Sequence, residues 1–69
     1  MDGHVFKTLE LTGTSSNSIE EAVQTAITIA SRSVRQLSWF EVIETRGAIR
    51  DNKVHEWQVT MKVGFKIEA

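Results

Sequence analysis

The sequence contains no cysteine, and its charges are nearly balanced between the two signs. Without cysteine the chain has no disulfide framework, no thiolate nucleophile and no cysteine-based zinc site. Eight basic and nine acidic residues are interspersed and give a formal net charge of -1. This pattern has no basic stripe of the kind that binds a phosphate backbone, so nucleic acid is not an expected partner.

Long apolar segments are also missing from the chain. No apolar run approaches the roughly 20 residues of a membrane span. The start of the chain, Met1-Asp2-Gly3-His4, lacks the basic residues and apolar centre of a secretory signal, so we expect a soluble, cytoplasmic protein. The 69 residues form a single domain over 1–69. A chain of this length buries only about 60% of the surface that its unfolded form exposes, so we expect it to form an oligomer.

The clearest pattern in the chain is the alternation from Val54 to Glu68. Apolar residues and one histidine fall on one side, namely His55, Trp57, Val59, Met61, Val63, Phe65 and Ile67. The other side is mainly polar. Period-two alternation is typical of a strand with one face in the core, so this segment is predicted to be a half-buried strand.

A strand, a loop and a helix are predicted before it. Residues 4–12 alternate well enough to form a first strand, and the polar run from Gly13 to Asn17 is predicted to be a loop. Ser18 and Glu21 fit a capping box, in which the serine accepts from a backbone N–H and the glutamate reaches back to the cap residue. Apolar residues, several of them small, recur at helical spacing from Ile19 to Leu37. This spacing predicts an amphipathic helix against which a sheet can pack closely.

A second strand is predicted from Trp39 to Ile49, and Asp51-Asn52 supplies a turn before the last strand. The element order is therefore strand, helix, strand, strand. It predicts an α+β fold in which a short antiparallel sheet packs one face on the helix and leaves the other face for partners or solvent.

Trp39 is the residue that points most directly to a function. If Phe40 joins the core, side-chain alternation directs the odd-numbered residues from Trp39 to Thr45 to the polar face, which also carries Gln58. An indole and a side-chain amide on a polar face form a platform for a planar heteroaromatic ligand, whose ring stacks and whose edge pairs with the amide. The alternative is that Trp39 fills a subunit interface, where aromatic residues are also enriched.

Four segments together resemble one known family. They are Leu11-Thr12-Gly13-Thr14-Ser15, Trp39-Phe40-Glu41-Val42, Arg46-Gly47 and the segment from Trp57 to Phe65. Their order and spacing, over nearly the whole chain, resemble the dodecins, which are small flavin-binding proteins. The resemblance implies a β-α-β-β protomer whose three-stranded antiparallel sheet partly wraps one amphipathic helix. It also implies assembly as a hollow dodecamer.

The function implied by this resemblance is that of a non-catalytic flavin store. Dodecins hold paired flavins at two-fold interfaces between symmetry-related tryptophans, and Trp39 matches the stacking tryptophan. Gln58 matches the glutamine that hydrogen-bonds the pyrimidine edge of the isoalloxazine ring. The Arg46-Gly47 pattern resembles the bacterial branch and favours FMN, with riboflavin or FAD as alternatives and coenzyme A as a possible second ligand. The implied role is buffering of free flavin and quenching of its photochemistry.

The family resemblance and the side-chain alternation predict different positions for Arg46. The resemblance places an arginine here at the border of the flavin pocket, whereas strict alternation from Phe40 places it on the core face. Either the strand contains a bulge, or Arg46 makes only a structural ion pair.

No residue is assigned to catalysis or to a metal. His4 and His55 are far apart in the sequence, with no acidic residues spaced around them as metal ligands. No base is spaced to activate a serine, so an enzyme is not predicted. The alternative to flavin storage is a structural or interaction oligomer without a flavin ligand.

Overall fold

The computed structural model describes residues 3–67 and contains one helix and three strands. The elements are β1 (Phe6–Ser15), α1 (Ile19–Ala30), β2 (Leu37–Arg50) and β3 (Lys53–Lys66). The strand order in the sheet is β1-β3-β2, and both neighbouring pairs are antiparallel. The α+β class, the β-α-β-β order and the antiparallel sheet are confirmed.

β3 is the central strand, and its alternation divides the sheet into two faces. Val59, Met61 and Val63 are at most 1% exposed and form the core together with Ala22 and Ala26 of α1. The predicted apolar face is therefore confirmed. Glu68, which the prediction included in this strand, lies outside the described residues.

α1 packs on β1 and β3 through small residues. A Cβ atom on Gly13 would overlap the carbonyl oxygen of Ala22 and would lie 2.8 Å from the Cβ of Ala26. Only glycine therefore allows the helix to approach β1 this closely. The close packing expected from the small residues of the helix is confirmed.

The predicted loop from Gly13 to Asn17 is wrong over its first three residues. β1 continues to Ser15, with Gly13 opposite Val59 and Ser15 opposite Trp57. The small and polar residues that suggested a loop have other uses here. Gly13 makes room for the helix, and the buried Ser15 hydroxyl donates to Glu21 at 2.9 Å and accepts from the Asn17 N–H at 2.9 Å.

The start of α1 agrees with the prediction more closely than its end. Ser18 caps the helix by accepting from the Glu21 N–H at 3.0 Å, but the Glu21 carboxylate binds Ser15 and Asn17 instead of reaching back to the Ser18 N–H. The helix ends at Ala30 and not at Leu37.

Two features explain why the helix ends early. The Ser31 hydroxyl donates to the Thr28 carbonyl at 2.6 Å and so competes with the backbone for that acceptor. Gln36 then has a φ of 60°, a left-handed conformation that no helix contains and that directs the chain into β2.

The β2–β3 hairpin gives the protomer an extended shape. Asp51 and Asn52 form its turn with φ values of 53° and 63°, as expected for a tight hairpin connection. The radius of gyration is 14.4 Å, compared with about 11 Å for a compact domain of this length. The protomer therefore exposes more surface than a compact chain of its length.

Candidate functional site

The outer face of the sheet is the face directed away from α1, and the pairing of β2 with β3 determines which side chains lie on it. Residues directly opposite each other on neighbouring strands share a face. Trp39 lies opposite Gly64, and Arg46 lies opposite Gln58. Because Gly64 and Gln58 are both on the polar side of β3, Trp39 and Arg46 lie on the outer face as well.

A β-bulge in β2 makes this arrangement possible. Val42 pairs with the buried Met61, whereas Glu44 pairs with Thr60, so Ile43 is an extra residue without a counterpart on β3. The bulge changes the phase of the alternation from this point onward.

The bulge resolves the conflict over Arg46. The predicted bulge is present and brings Arg46 to the outer face beside Gln58, where it also forms an ion pair with Glu44. The prediction that Thr45 points to the polar face is wrong for the same reason, since Thr45 pairs with the buried Val59 and shares its face. Strict alternation failed because it assumed a strand without irregularities.

The indole ring of Trp39 lies over Gly64. A Cβ atom on Gly64 would overlap three atoms of the indole, so the absence of a side chain gives the ring its position against β3. Gly64 itself is buried, while Trp39 is still 44% exposed. The ring is therefore held against the sheet on one side and accessible on the other.

The polar side chains form a connected cluster at the other end of the outer face. The Arg46 Nε donates to the Gln58 Oε1 at 2.8 Å, and the Gln58 Nε2 donates to the Glu56 Oε1 at 3.0 Å. The Arg46 Nη1 also lies 3.5 Å from the Glu44 Oε1. Exposed ion pairs of this kind contribute at most about 1 kcal/mol to stability. The two hydrogen bonds hold the Gln58 amide between Arg46 and Glu56.

Trp39 and Gln58 do not meet within one protomer. Gly64, over which the indole lies, is six residues from Gln58 along β3, which corresponds to about 20 Å at a rise of about 3.3 Å per residue. The structure therefore brings Arg46 and Gln58 together but places Trp39 at the far end of the same face.

The charged residues near the Trp39 end of the sheet are mainly basic. Lys7, Arg35 and Lys66 line a shallow groove of about 490 Å³ together with Ser33, Val34, Phe65 and Ile67. Such a groove attracts anionic groups through its summed charge.

Two residues of the site were not identified from the sequence as functional. A glycine inside a strand commonly marks a close approach, and this signal points to Gly64. Glu56 precedes Gln58 by two residues and so shares its face, but only the hydrogen bond shows that the two side chains interact.

Residues 3–67 contain no group of three or more histidine, aspartate or glutamate side chains placed to hold a metal ion. In the same part of the chain, no helix is long and apolar enough to cross a membrane.

Comparisons with known proteins agree with one another. The Dodecin family model matches residues 5–68. The chain is 47% identical over 66 residues to the dodecin of Thermus thermophilus, with 96% of each chain covered.

The solved structures similar to this chain include dodecins from other bacteria. The dodecin of Streptomyces coelicolor superposes with a TM-score of 0.94 at 43% identity, covering 100% of this chain and 99% of that chain. A calcium dodecin of Mycobacterium tuberculosis, described as having a novel calcium-binding site, superposes with a TM-score of 0.81 at 31% identity, covering 93% of this chain and 91% of that one.

Proposed function

The chain belongs to the dodecin family, and we propose that it binds FMN or riboflavin by stacking the flavin on Trp39 at two-fold interfaces between subunits. In this role the protein stores flavin, buffers its free concentration and quenches its photochemistry. The observation that carries the proposal is the position of the indole ring, which is held against Gly64 on one side and accessible on the other.

Stacking on Trp39 accounts for both the binding and the quenching. Offset stacking of aromatic rings is favourable beyond the area that it buries. An indole is rich in electrons and an isoalloxazine is poor in them, so the indole can donate an electron to the excited flavin. We therefore expect bound flavin to lose its fluorescence and much of its photoreactivity.

The separation of Trp39 from Gln58 supports a site shared by two subunits. The separation of about 20 Å along the strand is much longer than an isoalloxazine ring. One flavin can contact both side chains only if they belong to different subunits. A two-fold axis meets this requirement, because each subunit presents the same surface to the other.

The exposed apolar residues of β2 support the expected assembly. Phe40, Val42 and Ile43 are 44–48% exposed in the protomer. Contiguous apolar surface of this kind marks protein interfaces, and the extended shape of the protomer leaves much of it uncovered. We expect a homo-oligomer, with the dodecamer of the family as its form.

The basic groove supports a phosphate-bearing ligand. Lys7, Arg35 and Lys66 line it at the end of the sheet that carries Trp39, although Lys7 pairs with Phe65 and so lies on the face opposite the indole. FMN is favoured over riboflavin because the Arg46-Gly47 pattern resembles the bacterial branch of the family, and FAD remains an alternative. Coenzyme A is a candidate second ligand, since its own phosphates suit a basic groove. We expect a cytoplasmic binding protein and not an enzyme.

A fluorescence titration tests the proposal. Flavin-free protein is added to FMN, and saturable quenching near one flavin per protomer is expected. Trp39→Ala should weaken binding about tenfold or more, since a stacked aromatic pair is worth about 1 kcal/mol and further stacking area is lost with it. Trp57→Phe is the matched control, because Trp57 lies on the opposite face of the sheet and its replacement should leave the affinity unchanged.

Absence of quenching at micromolar protein would contradict flavin storage. The alternative is then a structural or interaction oligomer in which Trp39 anchors a subunit contact. Light scattering on the natural protein and on Trp39→Ala separates flavin storage from a purely structural role. Trp39→Ala would reduce the mass of the assembly only if the tryptophan holds subunits together.

A further inference from the structure

We propose that Glu56 is a positioning residue that fixes the orientation of the Gln58 amide and so selects ring systems with an imide edge. The inference rests on the proposed flavin site and adds to it a residue that does not itself touch the ligand. Glu56 lies on the outer face of β3, two residues before Gln58, so the strand itself sets the spacing of the two side chains.

Both ends of the Gln58 amide are occupied by groups of fixed hydrogen-bonding character. The Oε1 accepts from the Arg46 Nε at 2.8 Å, and the Nε2 donates to the Glu56 Oε1 at 3.0 Å. A guanidinium only donates, and a carboxylate only accepts. Neither neighbour can therefore adapt to an amide that is turned the other way.

A half-turn of the amide would replace two hydrogen bonds by two repulsive contacts. The Nε2 group would face the N–H of Arg46, and the Oε1 would face the carboxylate of Glu56. Glutamine amides in proteins otherwise choose between two similar orientations according to their neighbours. With a cation on one side and an anion on the other, Gln58 has a single orientation.

The fixed orientation leaves one N–H and one oxygen lone pair of Gln58 unused in the protomer. A neighbouring donor and acceptor complement a ring edge on which an N–H lies beside a carbonyl. The pyrimidine ring of a flavin has such an imide edge at N3, and methylation of N3 removes its donor. Glu56 therefore acts on recognition of the ring and not of the phosphate.

The test compares riboflavin with 3-methylriboflavin as probes. In the natural protein, riboflavin should bind more tightly than its methylated analogue. Glu56→Ala should weaken riboflavin binding roughly fivefold, the usual effect of losing one hydrogen bond. It should change binding of 3-methylriboflavin much less, so the preference between the two probes shrinks.

Two further variants distinguish positioning from a general structural effect. Glu56→Gln can still accept from the Gln58 Nε2 through its own side-chain oxygen, so it should restore most of the preference. In a Gln58→Ala background, Glu56→Ala should have no further effect on riboflavin binding, because the residue through which it acts is absent. An equal loss for both probes, or an undiminished effect in the Gln58→Ala background, would overturn the inference.

A readout without ligand separates this inference from the proposed function. In protein labelled with ¹⁵N at glutamine, the side-chain NH₂ signal of Gln58 is assigned by its loss in Gln58→Ala. It should shift strongly in Glu56→Ala and remain near its position in Glu56→Gln. An unchanged signal in Glu56→Ala contradicts the positioning role even if flavin binds, whereas a shifted signal without flavin binding contradicts only the proposed function.

Discussion

β1 and β2 lie on either side of the same central strand, but they differ in regularity and in cover. β1 pairs with β3 from Phe6 to Ser15 without a register shift, and α1 packs against it. β2 pairs with β3 through three register shifts, and all its residues except Leu37 and Ala48 are exposed. The protomer thus has a closed side and an open side.

The difference between β1 and β2 shows where regular strand pairing is needed and where it is not. The core requires an uninterrupted run of small and apolar residues beneath the helix, and a shift in β1 would direct that run to the wrong face. α1 packs on β1 and β3 and leaves β2 largely exposed, so bulges in β2 can direct its side chains toward a partner. We therefore expect changes in β1 to act mainly on stability and changes on the open side to act mainly on binding.

The largest expected effect is a loss of stability on replacing Gly13 in β1, and Gly47 in β2, on the other side of β3, provides the matched control. Gly13→Ala should destabilise the protein by about 3 kcal/mol or more, because the added Cβ overlaps the backbone of Ala22 and the helix must move. Gly47→Ala should change stability by less than about 1 kcal/mol, since alanine is favoured over glycine within a strand. The nearest atom to its Cβ is the Glu56 carbonyl oxygen at 3.2 Å.

Urea unfolding of the two variants measures this difference. If Gly13→Ala and Gly47→Ala have the same midpoint and slope, the contrast between the closed and open sides is wrong.

A smaller effect is expected at Gly64, where the change should act on recognition more than on stability. Gly64→Ala displaces the indole of Trp39, so FMN affinity should fall about tenfold while the free energy of unfolding changes by about 1 kcal/mol. Tryptophan emission in a Trp57→Phe background reports on Trp39 alone and should shift.

The variant Trp39→Ala provides the control for this change. When it is combined with Gly64→Ala, the added methyl group no longer meets a ring, and the stability cost of Gly64→Ala should disappear. A cost that persists in the double variant would show that Gly64 is needed for the strand and not for the indole.

The smallest expected effect is a loss of stability at low pH, caused by protonation of Glu21 at the link between β1 and α1. Hydrogen bonds from Asn17 and then from Ser15 lower the pKa of Glu21 below its ordinary value of 4.5. A carboxylate with a lowered pKa stabilises the fold above its unfolded-state pKa, and this contribution is lost as the pH falls through the folded-state value. Stability should therefore decrease as the pH is lowered from 6 toward about 3.

Unfolding at several pH values tests the role of Glu21. Glu21→Gln should reduce this pH dependence, and Glu20→Gln, which removes a neighbouring charge in the same turn, should reduce it less. Equal reductions in both variants would attribute the effect to the helix terminus in general and not to the hydrogen bonds of Glu21.

The parts of the fold that were predicted correctly are those with local causes. The alternation of β3 depends only on which residues are apolar, and it was confirmed through Val59, Met61 and Val63. The Ser18 cap and the Asp51-Asn52 turn also depend on neighbouring residues alone. These patterns were sufficient for the class and the order of the elements.

The predictions that were wrong concern segments whose structure is decided by contacts distant in sequence. Gly13 has the composition of a loop residue, and only Ala22 and Ala26 show why it belongs to a strand. The bulge at Ile43 has no local sequence mark and follows from pairing with β3. For the site, the sequence indicated Trp39, Gln58 and Arg46, but not the distance between the first two or the contact of Glu56 with Gln58.

Ile43 is an extra residue in β2, so the faces on which the later residues of the strand lie depend on how Ile43 is accommodated. If Ile43 paired with Thr60 as in a regular strand, strict alternation would return and residues 44–48 would exchange faces. Arg46 would then point toward the core side, and Thr45 would replace it on the outer face. Deleting Ile43, by contrast, would leave Arg46 on the outer face, because Glu44 already pairs with Thr60 and would then follow Val42 directly. The bulge therefore absorbs a one-residue insertion in β2 without moving Arg46 off the face that it shares with Gln58.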